Sequence, residues 1–158
     1  MTSDRDRSTG GTANEPGGTA PAPGGTANAP SGSLNALGGS RPRLIRRTEL
    51  RDDPTPTPGM RRVHAIEANG LTSGLVQTAP GKQSGWHHHG DHETSIHVLA
   101  GILRMEDATG AFDAQPGDFI HVPAGAVHRE SNPSDVESVA VFSRAGRGAV
   151  TVNVDGPA

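Results

Sequence analysis

The stretch Gly117-Asp118-Phe119-Ile120-His121-Val122-Pro123-Ala124-Gly125-Ala126-Val127-His128 decides how this chain folds. Apolar and β-branched residues lead into Pro123 and Gly125, which punctuate a tight turn, and Val127 to Ser131 leads out again. The pattern reads as strand, turn, strand. With a four-residue turn, Pro123 to Ala126, Val122 opposes Val127 and His121 opposes His128. Opposed residues on paired strands share a face, so His121 and His128 are expected side by side. The same pairing sets Glu130 opposite Phe119 on that face. A slip of one residue would turn both His121 and Glu130 outward.

Working outward, the next informative stretch is Gly85-Trp86-His87-His88-His89-Gly90-Asp91-His92-Glu93. Four of the chain's eight histidines fall within six residues, Glu93 follows at once, and there is no cysteine to share metal duty. Imidazoles at i and i+2 on a strand point to one face, so His87 and His89 can reach a single ion while His88 faces away. Nitrogen and oxygen donors suit Fe, Mn, Ni, Co, Cu or Zn. The plain alternative is a solvated polar loop. A purification tag does not fit, because the run is internal, short and preceded by Trp86.

Together the two stretches resemble the cupin superfamily. Its first motif, G-x5-H-x-H-x3-4-E-x6-G, matches Gly81, His87, His89 and Gly101. Its second, G-x5-P-x-G-x2-H-x3-N, matches Gly117, Pro123, Gly125, His128 and Asn132 without a gap. The family's glutamate is the departure. Counting back from Gly101 puts Thr94 there; counting forward from His89 with the shorter gap puts Glu93 there. If Thr94 faces the interior, so do Ile96 and Val98; if Glu93 does, Ser95, His97 and Leu99 follow. The first set is the more apolar and suits a barrel interior. Glu93 stays a candidate fourth ligand through a bulge at the strand start, with His92 ranked after it.

The resemblance covers about residues 60 to 145. It implies an all-β, jelly-roll-like barrel holding one divalent metal, Fe(II) favoured, on His87, His89 and His128. His121 and Glu130 are then candidate acid–base groups beside the metal. The implied activity is a metal-dependent enzyme on a small organic molecule, a dioxygenase-type oxidoreductase first. A metal-dependent isomerase or epimerase, or a non-catalytic small-molecule-binding barrel, is the alternative. Many cupins resemble homodimers, and a homodimer is expected here. The chain has no tyrosine, which excludes a phenolic catalyst.

Composition limits the rest. Gly and Pro together supply 35 of 158 residues and crowd the first 40 positions. There, Gly10-Gly11-Thr12-Ala13-Asn14-Glu15-Pro16 begins a seven-residue repeat that lacks apolar a and d positions. Residues 1–40 are therefore expected as a disordered tail, 41–60 as an Arg/Pro-rich lead-in and 61–155 as the barrel. The net charge of −3 divides unevenly, the lead-in being basic and residues 63–158 acidic. An acidic barrel argues against nucleic acid as partner. No apolar stretch is long enough for a membrane span and no secretory h-region opens the chain, so a cytoplasmic location is expected. Expected strands are Arg43–Ile45, Val63–Ile66, Leu71–Thr78, the histidine strand, Thr94–Met105, Ala111–Ala114, Phe119–Val122, Val127–Ser131, Val136–Ser143 and Ala149–Val154.

Overall fold

A computed structural model of the chain describes residues 41–54 and 57–157. The expected tail over residues 1–40 lies outside them. The described chain opens with a single 3-10 turn, Arg47–Glu49, and is otherwise strand and loop: β1 (Arg51–Asp52), β2 (Met60–Ala68), β3 (Leu71–Thr78), β4 (His87–His88), β5 (Glu93–Ala100), β6 (Leu103–Asp107), β7 (Gly110–Ala114), β8 (Phe119–Val122), β9 (Arg129–Ser131), β10 (Ser138–Ala145) and β11 (Val152–Asn153). The fold is all-β, a jelly-roll-like barrel of two facing walls. One wall is a six-stranded antiparallel sheet in the order β1-β2-β3-β10-β5-β8. The other is β7-β6-β9 joined to β4-β11 by the bridges Gln83–Ser131 and His87–His128. Among the described residues no helix is long and apolar enough to cross a membrane.

Local sequence explains the turns. β2 and β3 are joined by Asn69-Gly70, whose φ angles of 47° and 81° suit the two-residue hairpin turn that Asn-Gly favours. Thr94 to Met105 is two strands rather than one. Gly101, at φ 70°, breaks it, and the chain leaves the large sheet as β5 and enters the small one as β6. Arg43–Ile45 forms no strand, and Leu44 is exposed.

The Phe119–Ser131 hairpin is corrected more deeply. β8 pairs with β5, and β9 pairs with β6, so the turn between them carries the chain from one wall to the other. Val122 lies opposite Thr94 and His121 opposite Ser95, not opposite His128.

Inward rows alternate as a half-buried sheet demands. Thr94, Ile96 and Val98 are buried on β5, and Ser138, Ala140, Phe142 and Arg144 on β10. Met60, Val76, Ile96, Val98, Leu103, Met105, Ala114, Ile120, Val122, Ala140 and Phe142 form the core between the walls. Burying each of the larger ones contributes roughly 1.5–3 kcal/mol. Both rows turn polar at one end, at Thr94 and Arg144, and that end faces the histidines.

Candidate metal centre

Three backbone relations assemble the site. His87 and His128 exchange both main-chain hydrogen bonds at 2.9 Å, which places their side chains on one face. His89 joins by its i+2 spacing from His87, and Glu130 by its i+2 spacing from His128. The ligand-capable atoms of His87, His89, His128 and Glu130 all lie within 4.8 Å of one another, and all four residues are buried. The two motif turns are tied together by the Gly125 amide donating to the Gly90 carbonyl at 2.8 Å.

Each imidazole is held from behind. Nδ1 of His87 bonds the Gly85 carbonyl at 2.9 Å, that of His89 the Val150 carbonyl at 2.8 Å, and that of His128 the Ala126 carbonyl at 2.8 Å. A carbonyl can only accept, so each Nδ1 donates and each Nε2 is turned away from it toward the centre, that of His89 lying 3.4 Å from Arg144 Nη2. Nε2 of His128 has no hydrogen-bond partner although it is buried. Burial pushes the His87 pKa down, against Glu130 and the Gly85 carbonyl, which raise it. Burial and then the Arg144 guanidinium push His89 down to about 3. Imidazoles converging on one point, one with an orphaned buried nitrogen, are the donor set a divalent transition metal takes.

Glu130 sits beside them. Burial opposes its ionisation most strongly, but the Arg62 guanidinium, 3.7 Å from a carboxylate oxygen, and the His87, His128 and His89 imidazoles together outweigh that, and its pKa ends below the usual range. A cavity of about 260 Å³ opens over the cluster, with Arg62, Ser84, Arg144, Thr57, Thr151 and Asn153 supplying polar walls. Arg144 donates from Nε to Thr94 Oγ1 at 3.2 Å, and its Nη2 lies 3.4 Å from His89 Nε2.

Two expected site residues stand elsewhere. Glu93 and His121 are on the outer face, paired with each other at 2.5 Å, with side chains 55% and 69% exposed. Strand parity is the reason: burying Thr94 and Ile96 turns Glu93 and Ser95 out, and His121 lies opposite Ser95. His92 is buried but donates from Nδ1 to the His89 carbonyl, 3.0 Å away, outside the cluster. Glu130 does face the cavity, through its spacing from His128 and not through the expected pairing with Phe119. Arg62 and Arg144 escaped the sequence reading because the expected strands began at Val63 and ended at Ser143. Extending each by one residue puts both arginines on the inward rows.

Residues 74–143 match the Cupin domain family. No curated protein matches the chain. Among solved structures, the chain is similar to the polyketide cyclase RemF from Streptomyces resistomycificus, at 18% identity and TM-score 0.62, covering 72% of this chain and 86% of that one. It is similar to KdgF from Halomonas sp., at 18% identity and TM-score 0.60, covering 68% and 96%. It is also similar to a sugar phosphate isomerase of Silicibacter pomeroyi, at 18% identity and TM-score 0.59, covering 73% and 95%. At these identities the likeness is one of fold.

Proposed function

The chain is a small protein of the cupin superfamily, and from that premise we propose that it is a metal-dependent enzyme acting on a small polar organic molecule. The observation that carries this reading is the convergence of three imidazoles and the Glu130 carboxylate on one buried point. His87, His89 and His128 would hold the ion, leaving positions open toward the cavity. A divalent ion bound there would supply Lewis acidity, and iron would add one-electron chemistry. Among donors of this kind Fe(II), Mn, Ni, Co, Cu and Zn all fit.

The chain's own residues supply the rest. Glu130, whose pKa Arg62 and the three imidazoles together hold below the usual range against burial, is a buried acceptor for a substrate proton. Arg62 fixes that carboxylate in place. The hydroxyls of Ser84, Thr57 and Thr151 and the amide of Asn153 suit an oxygen-rich substrate better than an apolar one. Proton transfer next to a polarised substrate oxygen is the reaction class this arrangement supports best. The names of two similar structures, a cyclase and a sugar phosphate isomerase, record that such barrels host enzymes on small molecules. Fold alone carries no activity across.

A dioxygenase is the second reading. It is favoured by the all-nitrogen face of three imidazoles with open positions beside it. One experiment separates the readings: small hydroxy acids, diketones and diols are offered to the metal-loaded full chain in heavy water under air. The expected result is metal-dependent deuterium incorporation that falls at least 100-fold in Glu130→Gln, the range of a lost acid–base group. Oxygen uptake without exchange would favour the dioxygenase. Neither exchange nor uptake with full metal loading would leave a binding module.

A further inference from the structure

We infer that Arg144 anchors the carboxylate of a small organic anion, held so that a neighbouring substrate oxygen reaches the point where the three imidazoles converge. This deepens the metal-dependent reading and rests on it. Arg144 ends the inward row of β10, after Ala140 and Phe142, and is 8% exposed. Its guanidinium lies against the Phe142 ring, 5.2 Å from the centroid. It carries five N–H donors, and Thr94 Oγ1 and His89 Nε2 engage two of its nitrogens. Among the described residues no carboxylate comes within salt-bridge distance of it. Glu130 and Asp53 counter its charge from across the cavity, and a guanidinium with no carboxylate at ion-pair distance among the described residues offers its planar fork to one.

The charges of the cavity point the same way. Its charged walls are Asp53, Arg62, Glu130 and Arg144, two cations against two anions. Arg62 already faces Glu130 at 3.7 Å. Arg144 stands beside the imidazoles, its Nη2 3.4 Å from His89 Nε2. A divalent ion on the histidines would bring the site to an excess of two positive charges. A carboxylate beside an oxygen donor would answer both at once, its fork matching the guanidinium and the neighbouring oxygen offering a donor to an ion held by the imidazoles. Repulsion from Glu130 orients it, the carboxylate toward Arg144 and the reacting carbon toward Glu130. The chemical class is a small 2-oxo or 2-hydroxy acid, which a cavity of about 260 Å³ admits.

The test is calorimetric titration of the Ni(II)-loaded full chain with pyruvate and, separately, with its uncharged amide. Metal content is measured on every sample. The expected result is pyruvate binding, with the amide at least 10-fold weaker, and a loss of about 10- to 100-fold in Arg144→Gln at unchanged metal content, with partial recovery in Arg144→Lys. The wild-type comparison of acid and amide stands even where Arg144→Gln fails to fold. Equal binding of acid and amide, no binding of pyruvate, or undiminished binding by metal-loaded Arg144→Gln would overturn the assignment while the metal reading stood. Failure of wild type to take up nickel would overturn the metal reading itself, and this inference with it.

Discussion

Asn132 and the histidines show how single residues divide the work. Asn132 is the second motif's last fixed residue, yet it lies outside the histidine cluster. Its amide donates to the Thr78 and Val136 carbonyls at 2.9 and 2.7 Å, and its oxygen accepts from the Ser134 amide and hydroxyl at 3.0 and 2.7 Å. Asn132→Ala would strand these partners, so a destabilisation of about 2–4 kcal/mol is predicted. Denaturant unfolding checks this; a loss under about 0.5 kcal/mol, the range of ordinary surface changes, would contradict it. The histidines make stability depend on pH in the metal-free protein. His89 titrates near 3 when folded against 6.5 when free, and His87 moves the same way. Below about 6.5 the unfolded chain binds protons that the folded chain refuses, so stability is whole above that pH and is lost as pH falls toward 3. Metal-free protein should melt lower at pH 4.5 than at pH 7, and His89→Gln should flatten that dependence. An equal pH slope in wild type and His89→Gln would count against a neutral, buried His89.

At the scale of elements, the chain's crossings between walls decide where side chains point. Gly101 makes one crossing. A Cβ there would sit 2.5 Å from the Glu137 carbonyl oxygen and 2.8 Å from Ser138 Cα, with φ at 70°. Gly101→Ala is predicted to cost about 1–3 kcal/mol, and an unchanged melting temperature would refute the close approach. The turn after Val122 makes the other crossing, and it limited what the sequence disclosed. Period-two alternation along Thr94, Ile96 and Val98 is local, so their inward facing was legible. So was the pairing of His87 with His89 on one face. Which strand lies beside which is a long-range fact. Reading Phe119–Ser131 as a hairpin put His121 inward, although β8 belongs beside β5. Glu130 came out inward because its parity with His128 holds whichever strand it pairs with. The arginines were hidden for another reason: Arg62 and Arg144 lie at strand ends, where polar residues look like loop.

The molecule as a whole encloses its site with parts far apart in sequence. The lead-in contributes β1, beside β2, and Asp53 and Thr57 to the cavity wall. Asp52 of β1 pairs with Val63, which is buried. A chain beginning at Met60 would expose that edge of the six-stranded sheet. It is predicted to melt roughly 5–15 °C lower, a loss of one to two kcal/mol at this domain size, while still binding metal. An unchanged melting temperature would show the lead-in to be inert. The ligands themselves come from β4, the loop after it and the residue just before β9, so no segment alone can hold an ion. Metal content therefore tests the site most directly: full-length chain is purified without added metal, exposed to a limiting excess of Ni(II), dialysed and analysed by elemental mass spectrometry. Wild type and Glu93→Gln should each retain close to one ion per chain, and His87→Ala, His89→Ala and His128→Ala should lose most of it, beyond the 10- to 100-fold weakening typical of a supporting residue. Full retention by the three histidine variants, or a loss in Glu93→Gln as complete as in His128→Ala, would contradict a metal held by His87, His89 and His128.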